Sequence, residues 1–309
     1  MALIDVHSHF LTDRYVAAAR AAGHEHPDGM PGWPTWSADA HLALMDECGI
    51  EVSLLSISSP GTHFGDLHGG DAAARLLSRE VNEVGAALRE RRPDRFGHFA
   101  SLPLPDVDGA IAEAARALDE LGSDGVTVKT HAGGRYLGDP ANEPLWAELD
   151  RRAAVVFVHP TSPPGAPALT GGRPAPMLEF VFDTARAFAD LALAGAIARH
   201  PGIRWIVPHG GGALPLLADR IELFARHFGG SPVLEQLRGL WFDSAGTPFP
   251  HQVPTLERVF GLERLLYGSD FCWTPAPAVR EQVATVAPVE DLTTDNALRL
   301  LPRLAALAR

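Results

Sequence analysis

Short apolar runs rich in Val, Ile and Leu recur along the chain, each leading through a loop into a stretch with apolar positions three and four apart. Runs near 2–7, 51–57, 96–101, 125–129, 154–158, 203–207, 239–243 and 264–268 read as strands. Between them, 71–91, 108–121, 142–152, 178–199, 213–228 and 252–260 read as amphipathic helices. Alternation of this kind builds a parallel sheet, and eight units close it into a (β/α)8 TIM barrel. The runs are Val, Ile and Leu rich rather than cleanly alternating, as expected where helices cover one face and barrel-filling side chains the other. A doubly wound open sheet fits the same alternation. With 309 residues, one barrel of about 250 residues plus insertions accounts for the chain as a single domain over 1–309.

Two segments interrupt the rhythm. Residues 10–36, a long loop after the first strand, carry Gly23, Pro27, Gly29, Pro31, Gly32 and Pro34, too many breakers for regular structure throughout. Trp33 and Trp36 argue against disorder there. Residues 162–176 follow the fifth strand and hold five prolines. In a barrel both segments stand over the C-terminal mouth, where loops carry function.

The formal charge of -12 excludes nucleic acid and anionic membrane surfaces as partners, since both require local excess of Lys and Arg. Cys48 and Cys272 are the two cysteines, without zinc-ribbon or redox spacing, and fit a reducing cytoplasm. The start of the chain shows no signal-peptide pattern, and no apolar stretch reaches the about 18 residues of a membrane span. A soluble cytoplasmic protein is expected.

The chemistry collects at the ends of the runs. Ile4-Asp5-Val6-His7-Ser8-His9 places two imidazoles two residues apart, on one face of a strand. Alone, these are no more than two histidines in an N-terminal tail. The fifth run ends in His159, the sixth leads into His209-Gly210-Gly211-Gly212, and the eighth into Gly268-Ser269-Asp270. In a closed barrel His7, His9, His159, His209 and Asp270 converge on one mouth. Three or four N and O donors with a position left for water make a catalytic metal site.

These residues resemble the amidohydrolase superfamily, and most closely the decarboxylase branch that includes aminocarboxymuconate-semialdehyde decarboxylase and 6-methylsalicylate decarboxylase. The resemblance runs through Ile4-Asp5-Val6-His7-Ser8-His9-Phe10, Phe157-Val158-His159-Pro160, His209-Gly210-Gly211-Gly212 and Tyr267-Gly268-Ser269-Asp270-Phe271. Pro31-Gly32-Trp33-Pro34, Ser56-Ile57-Ser58-Ser59-Pro60-Gly61 and Phe99-Ala100-Ser101-Leu102-Pro103 look most like the 6-methylsalicylate enzyme. The resemblance implies one divalent metal, zinc first and manganese second, held by His7, His9, His159 and Asp270. It makes His209 and Asp270 the catalytic pair. It implies a homodimer in which Arg220 reaches a neighbouring subunit's site.

Lys129 ends the fourth run, where binuclear relatives carry a carbamylated lysine that bridges two metals. It is therefore either a rim cation or the mark of a binuclear hydrolase, with His131 close by. Trp33, Trp36, Phe271 and Trp273 are candidate walls for an aromatic ring. The expected reaction is non-oxidative decarboxylation of an aromatic, ortho-hydroxylated acid with release of CO2. Hydrolysis of a lactone or amide by metal-bound hydroxide uses the same ligands and stays open.

Overall fold

The computed structural model describes residues 3–228 and 232–307. Eight strands form one sheet in chain order: β1 (Leu3–His9), β2 (Ile50–Ser56), β3 (Phe96–Ser101), β4 (Gly125–Lys129), β5 (Val155–His159), β6 (Arg204–Val207), β7 (Trp241–Asp243) and β8 (Leu265–Leu266). All neighbouring pairs are parallel. The sheet closes where the chain beyond β8 runs beside β1: Val6 N donates to Tyr267 O at 2.9 Å and Asp270 N to His7 O at 2.7 Å. That closure makes it a (β/α)8 barrel and removes the open-sheet alternative. Each predicted strand is present to within two residues at either end; Ala2, inside the first predicted run, lies outside the described residues.

Ile4, Val6, Leu54, Phe99, Phe157 and Ile206 belong to the buried cluster that fills the barrel, which Leu300 and Leu304 of the C-terminal helices join. Outer helices pack against the other face. The helix Gly70–Arg91 buries Ala74, Leu77, Ser78, Val81, Asn82, Gly85 and Ala86, the three-and-four spacing of one helical stripe. The expected helix over 178–199 is two helices, Glu179–Leu193 and Ala196–Arg199. Gly195, at φ 72°, divides them by adopting the left-handed conformation that ends a helix. No helix among the described residues is long and apolar enough to cross a membrane.

The first interruption holds more structure than its glycines and prolines predict. A helix over Asp13–Ala21 starts at Thr12, whose side chain accepts from Tyr15 N at 3.1 Å, a standard N-cap. The irregular part begins only afterwards. A turn at Pro27–Gly29 packs against Ala175–Met177 of the second interruption. The two rim segments thus meet over the mouth.

Candidate metal centre

The first strand slips by one residue between Asp5 and Ser8, the interval that holds His7. Asp5 pairs with Ser53, Ser8 with Leu55 and His9 with Ser56, so three steps along β1 stand against two along β2. This β-bulge re-aims side chains. Strict alternation puts Asp5 on the side of His7 and His9, whereas the slip puts it on the side of Ser8. Its carboxylate accepts from His7 N at 3.1 Å, Ser269 N at 3.0 Å and Ser269 Oγ at 2.6 Å. Asp5 therefore stitches β1 to the segment after β8, and burial lifts its carboxyl to about 6.

Each of three histidines spends Nδ1 on a fixed oxygen. His7 Nδ1 donates to Asp243 Oδ2 at 2.9 Å, His9 Nδ1 to Ser56 Oγ at 3.1 Å, and His159 Nδ1 to Pro160 O at 2.7 Å. A hydrogen bond at Nδ1 sets the tautomer and leaves Nε2 as the free donor atom. Asp270 Oδ1 lies 3.1 Å from His9 Nε2 and 3.4 Å from His7 Nε2. One ligand atom from each of His7, His9, His159 and Asp270 lies within 4.8 Å of the other three.

Electrostatics and hydrogen bonding both fit a cation at that point. Burial pushes the His9 imidazole down to about 4 and His159 well below its usual value, so both offer lone pairs at neutral pH. On His7 burial is outweighed by Asp243 and Asp270, which hold it up at about 10. A proton there balances two buried carboxylates, and a divalent cation supplies that positive charge instead. His7 Nε2, fully buried, has no hydrogen-bond partner among the described residues, an arrangement that costs about 1–3 kcal/mol unless something fills it. Three imidazole nitrogens and one carboxylate oxygen suit zinc or manganese.

Asp270 and His209 are held in strained backbone, at φ 57° and 54°. Non-glycine residues in that region cluster at functional sites. Asp270 presents its two oxygens to different neighbours: Oδ1 to the paired histidines, Oδ2 to His209 Nε2 at 3.5 Å. Burial works against charge on Asp270, but the neighbouring His209 and His7 imidazoles hold its carboxyl well below the usual carboxylate range. Asp243 ties the halves together. Its Oδ2 orients His7 while its Oδ1 accepts from His209 N at 2.9 Å and Ala245 N at 3.0 Å. Gly268 lets the closing segment pass, since a Cβ there would come 2.7 Å from His7 Cβ.

Above the cluster lies a cavity of about 310 Å³, with Asp270, His209 and Ser58 among its lining and Met30, Phe180, Val181 and Trp273 as apolar walls. Of the four aromatic candidates, Trp273 lines the cavity and Trp33 packs beside it, ring centres 5.6 Å apart. Trp36 and Phe271 pack on His41 instead: Trp36 Nε1 donates to His41 Nδ1 at 3.1 Å, and the Phe271 ring lies 4.9 Å away. Arg220 is exposed on the helix Leu214–Phe228, over the Phe224 ring at 4.9 Å. It lines an apolar surface groove with Leu217, Ile221, Phe224 and Phe228, not the cavity of its own chain.

Lys129 is half-buried beside the cluster, yet its Nζ donates to Ile57 O at 2.6 Å and desolvation lowers it to about 7. With His131 it lines a separate chamber of about 170 Å³. The sequence reading missed Asp243 and Asp28. Asp243 ends the predicted run 239–243 as an acid, the same strand-end signal that marked Asp270. Asp28 gave no such signal.

The amidohydrolase family model matches residues 4–303 of the chain. The decarboxylase yanB of Aspergillus niger is 37% identical over 97% of this chain and 87% of its own. The 6-methylsalicylic acid decarboxylase acuB of Aspergillus aculeatus is 36% identical over 97% of this chain and 96% of its own. A crystal structure of an amidohydrolase II superposes with a TM-score of 0.90 at 35% identity, covering 97% of this chain and 100% of the other.

Proposed function

This chain belongs to the amidohydrolase family, and from that premise we propose that it is a metal-dependent, non-oxidative decarboxylase of a hydroxylated aromatic acid. The observation that carries this reading is the cavity. Asp270 of the His and Asp cluster lines it together with His209; Met30, Phe180, Val181 and Trp273 give it an apolar side; and none of its described lining residues is Lys or Arg. A substrate carboxylate entering it meets no fixed cation except an ion on that cluster.

His7, His9, His159 and Asp270 would hold one divalent ion, zinc first and manganese second. When bound, it supplies a Lewis acid for the carboxylate and the adjacent phenolate oxygen of the acid. Phe180, Val181, Met30 and Trp273 flank the ring and exclude water, which strengthens every charge interaction at the floor. The overall change takes up one proton: it bonds to the ring carbon that carries the carboxylate, the bond between ring and carboxyl carbon breaks, and its electrons restore aromaticity as CO2 leaves. Asp270 Oδ2 and His209 Nε2, 3.5 Å apart, form the route by which the proton arrives. Asp270 is strongly anionic here, so His209, which as an imidazole both takes and gives protons, acts as its source.

The exposed face of the helix Leu214–Phe228, with Phe224 and Phe228 uncovered, receives a second copy of the chain, which brings Arg220 towards the neighbouring cavity. The chain works as one barrel domain over 1–309. Its two free thiols, Cys48 and Cys272, fit a reducing cytoplasm.

The test is CO2 release from a panel of ortho-hydroxybenzoates, run beside ring opening of aromatic lactones. CO2 from at least one acid, abolished by chelator, is expected. Lactone opening without CO2 overturns the reading.

A further inference from the structure

Asp28 is an aspartate on the wall of a cavity that receives an anion. It lines the same space as Asp270, His209 and Ser58. It sits at φ 55° in the turn Pro27–Gly29, a conformation that L residues other than Asn and Asp seldom hold. Its Oδ1 accepts from Ser162 Oγ at 2.5 Å and Ser162 N at 3.3 Å. Beside it a Cβ on Gly29 would come 3.3 Å from Pro174 Cα. The carboxylate is thus clamped between the two rim segments. No hydrogen bond from the described residues reaches its second oxygen, Oδ2.

We propose that Asp28 is a specificity-determining residue: its free oxygen accepts a hydrogen bond from a second hydroxyl on the substrate ring, and its charge rejects a ring with a second carboxylate. The proposal rests on the decarboxylase reading above. Two physical effects support it. An ionised acceptor in a cavity with apolar walls binds a phenolic O–H more strongly than a neutral acceptor does. The same charge repels a carboxylate placed nearby: no Lys or Arg shares this cavity's described lining, and the cations near Asp28 face other spaces, Lys129 a separate chamber and Arg173 a second pocket that Asp28 also borders. Discrimination by a polar group exceeds what a methyl-sized difference in an apolar pocket achieves.

Three substrates separate the effects: a 2-hydroxybenzoate with a 6-methyl group, the same ring with a 6-hydroxyl in place of the methyl, and the same ring with a second carboxylate there. CO2 release is measured for the wild type, Asp28→Asn and Ser162→Ala, with melting curves to establish folding. For D28N, kcat/KM on the dihydroxy acid falls about tenfold or more, as expected for exchanging a charged acceptor for a neutral one. Its kcat/KM on the methyl acid stays within about threefold, the scale of a change that removes no partner from the substrate, and its rate on the dicarboxylate rises. S162A, which cuts the tether and leaves the charge, still rejects the dicarboxylate.

An equal loss on all three substrates, or S162A reproducing D28N, overturns the proposal and reduces Asp28 to a clamp between loops. No change in D28N also overturns it. Failure of the underlying reading looks different, because wild type then releases no CO2 from any of the three.

Discussion

The ends of β4 and β5 lie side by side, with Lys129 opposite His159 in the ladder, yet the two residues stand in different chemical positions. His159 binds its own backbone neighbourhood through Nδ1 and leaves Nε2 facing three other donor atoms. Lys129 commits its nitrogen to Ile57 O and faces a separate chamber. Both are nitrogen side chains at a strand end, His159 buried and Lys129 half-buried. What separates a ligand position from a structural one here is a nitrogen aimed at other donor atoms, with no hydrogen-bonding contact among the described residues closer than a long 3.4 Å one to Ser58 Oγ, held by a second hydrogen bond behind it.

The largest effect should come from breaking the convergent side. His159→Ala removes a ligand and is expected to lower CO2 release by on the order of a thousandfold or more, with loss of bound metal by elemental analysis. His209→Asn keeps the metal and loses kcat by about 10²–10⁴-fold, because it removes only the proton route. Loss of metal from H209N would move His209 into the ligand set. Next comes the support behind the ligand: Asp243→Asn should weaken metal affinity by about 10–100-fold in a chelator competition.

Buried histidines away from the cluster extend the contrast to stability. His41 and His98 are both pushed by burial to about 3, against about 6.5 in an unfolded chain. Between those values the unfolded state binds more protons, so their contribution is complete above about pH 6.5 and is lost as pH falls towards 3, by about 1.4 kcal/mol per unit for each. Urea midpoints at pH 7 and 5 measure this, and His98→Asn should shrink the difference. The smallest effect is expected at Lys129: Lys129→Met should leave metal content unchanged and CO2 release within about threefold, as for a residue that contacts neither ion nor substrate. A larger loss with less bound metal would restore the bridging role.

The strand framework was legible because short runs rich in Val, Ile and Leu, bounded by loops and alternating with helical patterns, have few other solutions. His7, His9, His159, His209 and Asp270 were legible because each breaks off such a run with a group that an apolar interior does not tolerate alone. The bulge that turns Asp5 away left no trace, since one slipped residue does not disturb the composition of β1. Asp28 was hidden because it reaches the cavity only through the packing of the rim segments 10–36 and 162–176, and Phe180 because it reads as one more apolar position of the helix Glu179–Leu193. Trp36 and Phe271 show the reverse: aromatic residues near the mouth in sequence, spent on the buried His41 ring.

The most direct measurement is a metal titration of the chelated protein, with bound metal and CO2 release followed together. A one-ion centre on His7, His9, His159 and Asp270 predicts release that rises in proportion to metal and saturates at one equivalent per chain, in K129M as in the wild type. Saturation at two equivalents, with the second lost in K129M, would contradict it and place Lys129 in a binuclear site.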